Sequence, residues 1–316
     1  MTGHQGIFKE LADRFGDDVL AERLRLQVDY AATMSGKGRG KLHFENLGKL
    51  TTACRIGLAL TGLTKRCERE SLNFQIERIE TTLPTLPVEF DGLRILQLSD
   101  IHIDGFVDGG TKLQESLRHL EFDLCVLTGD YRFLTYGPYE KCGEKMTALL
   151  KKIHCEMGTY AILGNHDFIE EIPYFEAAGV PVLLNESVHF SRGKHALYLA
   201  GVDDPHFYGL DDIKQALTNV PRESCIILLA HSPEIYKEAS GHAVDFYLCG
   251  HTHGGQICLP GGTPIITHGA CPRSMCRGPW SYREMQGYTA RGTGCSGVQA
   301  RLNCPPEITI HTLRNA

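Results

Sequence analysis

Seven side chains with metal-binding chemistry lie shortly after apolar runs of the sequence. They are the carboxylates, amide and imidazoles of Asp100, His102, Asp130, Asn165, His231, His251 and His253. Oxygen and imidazole donors suit hard to borderline divalent cations such as manganese, zinc and iron. A single Asp or His at the end of a strand is more often a cap or a satisfied polar group, so the indication comes from all seven together.

The spacing of these residues strengthens the indication of a metal site. In an extended Asp-x-His segment, residues two apart point to the same side, so Asp100 and His102 can hold one ion together. His251 and His253 present two imidazoles in the same way. Glycines flank the candidate ligands and permit tight turns and close backbone approach to a phosphate. They are Gly129, Gly164, Gly250, Gly254 and Gly255.

The charge of such a centre favours an anionic substrate. Two divalent cations would bring four positive charges, and Asp100 and Asp130 would return two negative ones. A bridging hydroxide would still leave the cluster positive. The cluster would therefore attract a phosphate ester and stabilise the charge that develops on its oxygens.

The elements that must position these residues alternate in type after Leu93. The predicted strands are 93–98, 124–128, 160–163, 196–202, 225–230 and 246–249, and the predicted helices between them include 112–120, 144–153 and 210–217. Apolar runs separated by helices are typical of α/β layering. The candidate ligands follow five of these strands, at the carboxyl edge where sites form in α/β sheets.

The order of these motifs resembles the calcineurin-like metallophosphoesterase family. The elements DxH, GD, GNH, a lone His and GHxH follow one another, and the match extends over residues 93–313. Any one of them occurs by chance in many proteins, but all five in order are specific. The resemblance implies an α/β fold of two packed mixed β-sheets flanked by helices over residues 86–316. A helical extension, residues 1–85, would precede it.

The same resemblance implies two divalent cations, with manganese expected and zinc or iron as alternatives. The first ion would be held by Asp100, His102, Asp130 and His253, and the second by Asp130, Asn165, His231 and His251. The nucleophile would be water activated between them. His166 would be a catalytic residue that steadies the transition state or protonates the leaving oxygen. Asp167 would be a second catalytic residue, which orients the His166 ring.

Segments 201–206 and 303–308 resemble the YkuE-like group of phosphoesterases, whose members are often membrane-associated. The predicted function is therefore hydrolysis of a phosphodiester or pyrophosphate bond. A lipid-linked substrate such as UDP-2,3-diacylglucosamine is one candidate. A soluble phosphomonoesterase or protein phosphatase is the alternative. A non-catalytic scaffold is a lesser alternative, because degenerate family members lose ligands and every expected ligand type is present here.

The N-terminal extension has helical spacing and local positive charge. Its apolar residues recur at Ile7, Leu11, Phe15, Leu20, Leu24 and Val28. Residues 34–69 hold eight basic and two acidic residues, whereas the whole chain has a net charge of −6. Two interpretations remain open for this region. It packs on the main domain, or it contacts an anionic membrane as a basic amphipathic element.

Composition bears on partners and location. The net charge of −6 lacks the basic excess of a nucleic-acid-binding protein, so no nucleic acid is expected. No apolar run approaches the ~20 residues that span a bilayer, and the first residues lack a secretory signal pattern. The 12 cysteines include no CxxC pair, so reduced thiols in the cytoplasm are expected. The predicted location is cytoplasmic, with peripheral contact at the inner membrane.

Three further features have more than one interpretation. The arginines of residues 261–297 either are solvated or grip a distal phosphate; they are Arg273, Arg277, Arg283 and Arg291. Asp204 and His206 are expected to close a turn rather than line the pocket. A zinc site is disfavoured because the spacing of the C-terminal cysteines matches no common zinc framework. Those cysteines are Cys271, Cys276, Cys295 and Cys304.

Overall fold

The computed structural model describes residues 2–30, 37–40 and 48–316, and its strands form two mixed sheets. The first sheet consists of β1 (Gln75–Leu83), β2 (Arg94–Leu98), β3 (Leu124–Leu127), β4 (Thr159–Ala161) and β11 (Glu307–Asn315). Its strand order is β1-β11-β2-β3-β4. β2, β3 and β4 run parallel to one another, whereas β11 is antiparallel to β2.

The second sheet has six strands in the order β5-β6-β7-β8-β10-β9. They are β5 (Glu186–Arg192), β6 (His195–Gly201), β7 (Cys225–Leu229), β8 (Phe246–Cys249), β9 (Gly278–Tyr282) and β10 (Met285–Thr289). A buried layer joins the sheets, in which Ile95 and Val126 of the first sheet pack with Leu199, Ile227 and Leu248 of the second. The predicted α/β fold of two packed mixed sheets is confirmed.

Helices cover the outer faces of both sheets. On the main domain they are α5 (Thr111–Leu117), α6 (Glu140–Leu150), α7 (Ile172–Glu176), α8 (Ile213–Ala216) and α9 (Tyr236–Gly241). Met146 of α6 packs with Leu127 on the far side of the first sheet. Ala239 of α9 packs with Leu228 on the far side of the second. Strands buried on both faces explain why the sequence of β7, CIILL, is apolar throughout.

Parallel strands bring the candidate ligands to one edge. Backbone pairing continues past the ends of the strands, because Asp100 donates its amide to Gly129 at 2.9 Å and His102 donates to Asp130 at 3.0 Å. Gly250 donates likewise to the carbonyl of His231 at 2.8 Å. The loops that carry the metal-binding side chains are therefore fixed to one another by main-chain hydrogen bonds.

The N-terminal region contains a strand that the sequence pattern did not indicate. β1 lies within residues 1–85, which were expected to form a helical extension, and it pairs in parallel with β11 along its whole length. Its sequence, QIERIETTL, gives no clear apolar alternation, and Ile76 lies on the exposed side. This part of the predicted extension is therefore an edge strand of the first sheet.

The helices of the extension are α1 (Thr2–Phe15), α2 (Asp17–Tyr30), α3 (Gly48–Leu60) and α4 (Thr64–Glu70). Leu11 and Phe15 of α1 are buried in the core beside the first sheet, as their spacing predicts. For α2 the predicted apolar face is wrong at Val28, which is 81% exposed. Its buried residues are Leu20, Arg23, Leu26, Gln27 and Tyr30. The face turned to the domain is thus partly polar, which an apolar pattern cannot reveal.

Part of the basic segment 34–69 lies outside the described residues, which resume at α3. Among the described helices, none has the length and apolar character needed to cross a membrane. Cys54 and Leu58 of α3 pack against Val298 and Ile257 of the main domain. The same helix turns Ile56 and Leu60 outward, where Leu60 is 83% exposed.

Arg23 anchors α2 to the domain from a fully buried position. Its guanidinium lies over the ring of Tyr208 at 3.2 Å from the centroid. It also lies 3.5 Å from the carboxylate of Asp203 and donates to the carbonyl of Asp167 at 3.2 Å. Burial raises the pKa of Asp203, and the charge of Arg23 opposes that rise. Loss of this guanidinium would leave Asp203 buried without its partner cation.

We expect Arg23→Ala to lower the free energy of unfolding by about 3–5 kcal/mol, because removal of one partner leaves a buried charge uncompensated. Urea denaturation of chelator-treated protein measures this. The matched control is Arg25→Ala on the same helix, where Arg25 is exposed and pairs with Glu22 and Asp29 on the helix surface. The control should unfold as wild type does. Equal behaviour of the two variants would contradict the anchoring role of Arg23.

Candidate metal centre

The backbone turns sharply where the strands end at the centre. Five of the seven candidate ligands have a positive φ, between 44° and 70°. They are Asp100, His102, Asp130, His251 and His253. Residues with side chains rarely adopt this left-handed region, and such conformations cluster at functional sites where the surroundings enforce them. The conformation re-aims each side chain from the sheet into a common space.

Two glycines make room for this arrangement. A Cβ atom at Gly250 would overlap the side chains of Ser99 and Asp100, and one at Gly164 would overlap Asp130. Any larger residue at either position would therefore displace a carboxylate of the centre. These glycines are required by close approach of neighbouring side chains, in addition to the turns they form.

The first group of donors comprises Asp100, His102, Asp130 and His253, all buried. Nε2 of His253 lies 3.3 Å from Oδ1 of Asp100 and 3.2 Å from Nε2 of His102. Oδ2 of Asp130 lies 3.8 Å from Nε2 of His102. Nδ1 of His102 donates to the carbonyl of Arg132. Since that nitrogen carries the hydrogen, Nε2 of a neutral ring directs a lone pair at the group.

The second group comprises Asp130, His231 and His251, and the amide oxygen of Asn165 completes it. Oδ1 of Asn165 lies 3.0 Å from both Nε2 of His231 and Nδ1 of His251. Oδ1 of Asp130 lies 3.3 Å from Nε2 of His231. Asp130 thus faces one group with each of its oxygens.

The second group needs a positive charge. Nδ1 of His231 donates to the carbonyl of Thr128 at 2.8 Å, so Nε2 of a neutral ring would direct its lone pair at two oxygens. Burial acts to lower the pKa of His231, but the charge of Asp130 outweighs burial and raises that pKa well above its usual value. The position therefore takes a proton or a metal ion. Two imidazole nitrogens and one amide oxygen beside a carboxylate form a donor set that fits a divalent cation.

The two carboxylates differ in their electrostatics. Burial raises the pKa of Asp100, an effect that His231 opposes and Asp130 reinforces. Burial also acts to raise the pKa of Asp130, yet the charges of His231 and His166 hold it well below its usual range. The imidazoles around the shared carboxylate therefore favour its charged form.

The two imidazoles of the last motif are held neutral. Burial lowers the pKa of His251, and the nearby rings of His206 and His231 lower it further. Burial lowers the pKa of His253, with His102 and Arg301 acting in the same direction. A neutral imidazole is the form that binds metal ions. Both rings are thus prepared to act as ligands.

His166 lies beside the centre, with Nε2 3.8 Å from Oδ2 of Asp130. Its Nδ1 donates to the carbonyl of Phe133 at 3.1 Å. Asp167 was expected to orient this ring, and the structure corrects that role. Its carboxylate accepts the backbone amides of Asp130, Tyr131 and Gly164 at 2.7–2.8 Å. Asp167 therefore ties two ligand-bearing loops together, and the Phe133 carbonyl orients the His166 ring.

Three residues beside the centre were not anticipated in these positions. The hydroxyl of Tyr30 contacts Asn165, the ring of His206 lies 3.9 Å from that of His251, and the guanidinium of Arg301 lies 3.3 Å from Nδ1 of His253. Each is distant in sequence from the motif it contacts. No sequence signal pairs them with the ligands.

Asp204 and His206, which were expected to close a turn, make different contacts in the structure. Asp204 closes a turn, as expected, by accepting the amides of His206, Phe207 and Tyr208. His206 does more, because its Nδ1 contacts Glu234 at 3.0 Å while its ring packs on His251. His206 thus packs against the centre as well as belonging to the turn.

Two of the loop arginines bind the loop itself. Arg273 and Arg277 donate to the carbonyls of Pro264 and Gly262, and Arg291 pairs with Glu77 and Glu307. Among the residues that the structure describes, the C-terminal cysteines belong to neither group of possible metal ligands. Among the described residues, the two Asp/His groups are the sets of three or more His, Cys, Asp or Glu close enough to share an ion.

A cavity of about 280 Å³ opens beside the two groups. Asp130, His166, His251 and His253 line one part of it. The rest is largely apolar and includes Ile257, Ile265, Ile266 and Val298, with Thr51 and Cys54 of α3. A substrate held at the centre would therefore extend along an apolar wall.

Comparison with known proteins agrees with this geometry. The profile of the calcineurin-like phosphoesterase family matches residues 93–255. The chain is 29% identical to the uncharacterized metallophosphoesterase YkuE of Bacillus subtilis, over 76% of this chain and 86% of that protein. It is 28% identical to the phosphodiesterase YaeI of Escherichia coli, over 69% of this chain and 80% of the relative.

A further relative is a transmembrane protein with metallophosphoesterase domain from Danio rerio, which is 29% identical over 75% of this chain and 57% of its own length. The family match covers just over half of the chain and includes the strand ends that carry the clustered side chains. The protein belongs to the calcineurin-like phosphoesterase family.

Proposed function

We propose that this protein hydrolyses a phosphodiester or pyrophosphate bond at a centre of two divalent cations. The observation that carries the proposal is a buried carboxylate, Asp130, shared by two groups of donors at the end of an open cavity. The relative YaeI is named a phosphodiesterase, which favours a diester over a monoester.

Each group of side chains would hold one cation. The first would be bound by Asp100, His102, Asp130 and His253, and the second by Asp130, Asn165, His231 and His251. When bound, the pair would supply Lewis acidity and water of lowered pKa. Manganese is the metal we propose first, with zinc and iron as alternatives, since all three suit oxygen and imidazole donors.

His166 would act on the leaving group. Its Nδ1 is engaged by the carbonyl of Phe133, so its Nε2 faces the cavity next to Asp130. From there an imidazolium can stabilise negative charge on the phosphate or donate a proton to the departing oxygen. Asp167 would support catalysis indirectly, through the loop backbone that it holds.

An apolar group on the substrate would explain why much of the cavity lining is apolar. Ile257, Ile265, Ile266 and Val298 serve no purpose for a small, fully hydrated phosphate ester, whereas they suit an acyl chain next to the scissile bond. We therefore propose a lipid-linked substrate, of which UDP-2,3-diacylglucosamine is one example of suitable chemistry.

Contact with a membrane surface would give access to such a substrate. Ile56 and Leu60 project from α3, whose other face lines the cavity, and Ile265 and Ile266 at the cavity are half exposed. Arg55, an exposed basic residue of segment 34–69, lies on the same helix. Apolar side chains beside basic ones suit the surface of an anionic bilayer. The Danio rerio relative is named a transmembrane protein.

The first prediction concerns the reaction class. With Mn²⁺, wild-type protein should hydrolyse bis(para-nitrophenyl) phosphate with a kcat/KM at least about tenfold above that for para-nitrophenyl phosphate. A tenfold preference corresponds to a difference of only ~1.4 kcal/mol in transition-state free energy. Release of nitrophenol measures both. A preference for the monoester would instead support the phosphomonoesterase or protein phosphatase alternative.

The second prediction concerns the shared carboxylate. Asp130→Asn should lower diester hydrolysis by at least about 100-fold, since it removes the carboxylate charge that would hold both cations, and those cations would stabilise the transition state. It should also reduce the number of Mn²⁺ ions bound per chain, measured by elemental analysis. Asp13→Asn, at an exposed position of α1, is the control and should retain both properties. Unchanged turnover in Asp130→Asn would favour the scaffold alternative.

The third prediction concerns the apolar wall. For a dodecyl para-nitrophenyl phosphate diester, Ile266→Asp should lower kcat/KM about tenfold, because ~1.5 kcal/mol of apolar contact is lost. Hydrolysis of bis(para-nitrophenyl) phosphate should be nearly unchanged. Val88→Asp is the matched control. Val88 is 68% exposed and lies shortly after β1, an edge strand of the first sheet. Equal loss on both substrates would argue against an acyl site.

A further inference from the structure

Tyr30, the last residue of α2, reaches the metal centre from outside the family-matched residues. It is fully buried, and its ring stacks on Phe207 with centroids 3.6 Å apart and an interplanar angle of 17°. Its hydroxyl oxygen accepts a hydrogen bond of 2.8 Å from Nδ2 of Asn165. The N-terminal extension therefore contacts a side chain of the second donor group directly.

In this contact the amide nitrogen of Asn165 faces Tyr30, and the amide oxygen faces the centre. With Nδ2 engaged by Tyr30, Oδ1 is directed at His231 and His251, 3.0 Å from each. A rotation of the amide by half a turn would present an NH₂ group there, and NH₂ has no lone pair to offer a cation. The Tyr30 hydroxyl thus holds the Asn165 side chain in place while its amide oxygen is directed at the centre.

Two other residues of α2 hold the same loop. The side-chain oxygen of Gln27 accepts the amide of Ile169 at 2.8 Å, and Arg23 donates to the carbonyl of Asp167 at 3.2 Å. Positions 23, 27 and 30 lie on one face of the helix. The loop that carries Asn165 is therefore attached to α2 at three points. The first donor group takes its orientation from elsewhere, since His102 is fixed by the carbonyl of Arg132.

We infer that Tyr30 is a positioning residue for the second metal site, through which the N-terminal extension sets the affinity of that site and leaves the first site unaffected. The inference rests on the proposed two-metal centre. Mutation of groups that orient metal ligands through a hydrogen bond typically costs about 10–100-fold in metal affinity.

The test is a calorimetric titration of chelator-treated, full-length protein with Mn²⁺. Tyr30→Phe keeps the stacked ring and removes the hydroxyl. It should weaken one binding step by about 10–100-fold and leave the other within about twofold of wild type. Tyr208→Phe is the matched control, because it belongs to the same aromatic cluster and its hydroxyl lies 3.5 Å from the backbone carbonyl of Asp167. The control should keep both affinities, and circular dichroism of each variant reports its folding.

A second measurement separates positioning from packing. In an Asn165→Ala background the amide is absent, so adding Tyr30→Phe should change the weaker binding step no further. An equal loss in that background, or wild-type affinities in Tyr30→Phe itself, would overturn the inference. Wild-type protein that binds fewer than two ions would instead remove the two-metal centre, and so refute the proposed function.

Discussion

The centre depends on one buried carboxylate that faces two groups of donors at once. Burying a charge without compensation is costly, and Asp130 is almost fully buried. It remains in its charged form because His231 and His166 surround it. The same imidazoles are the groups that a metal ion would bind or adjoin. Positive charge at the middle of the centre, supplied by protons or by cations, therefore stabilises the arrangement.

The fold meets this requirement with strained but well-supported loops. Five of the clustered residues have left-handed backbone conformations, each following a strand whose pairing extends into the loop. Asp167 accepts two hydrogen bonds from the loop after β3 and one within its own loop after β4. Rigid strands hold the loops at a common edge. The buried carboxylate of Asp167 then accepts hydrogen bonds from backbone amides where the loops bend. The same residues thus stabilise the turns and shape the site.

The N-terminal extension flanks the centre on two sides. α2 reaches the second donor group through Tyr30, whereas α3 contributes Thr51 and Cys54 to the cavity wall. The packing interpretation of the extension therefore holds for α1 and α2, which carry a buried arginine and a polar interface. α3 also exposes Ile56 and Leu60. Its position at the cavity mouth links the fold of the extension to the class of substrate that we propose.

The sequence by itself determined the α/β layering and the residues that could bind metal. Apolar runs such as Cys225–Leu229 mark buried strands, because local hydrophobic periodicity indicates where strands form. The motifs after them place Asp, Asn and His at strand ends. Only the tertiary structure decided the roles of Asp167, Tyr30 and β1. Asp167 acts through the backbone, Tyr30 acts across more than 130 positions of the chain, and β1 is ordered by pairing with β11. Such contacts depend on how distant segments meet, and no local pattern records that.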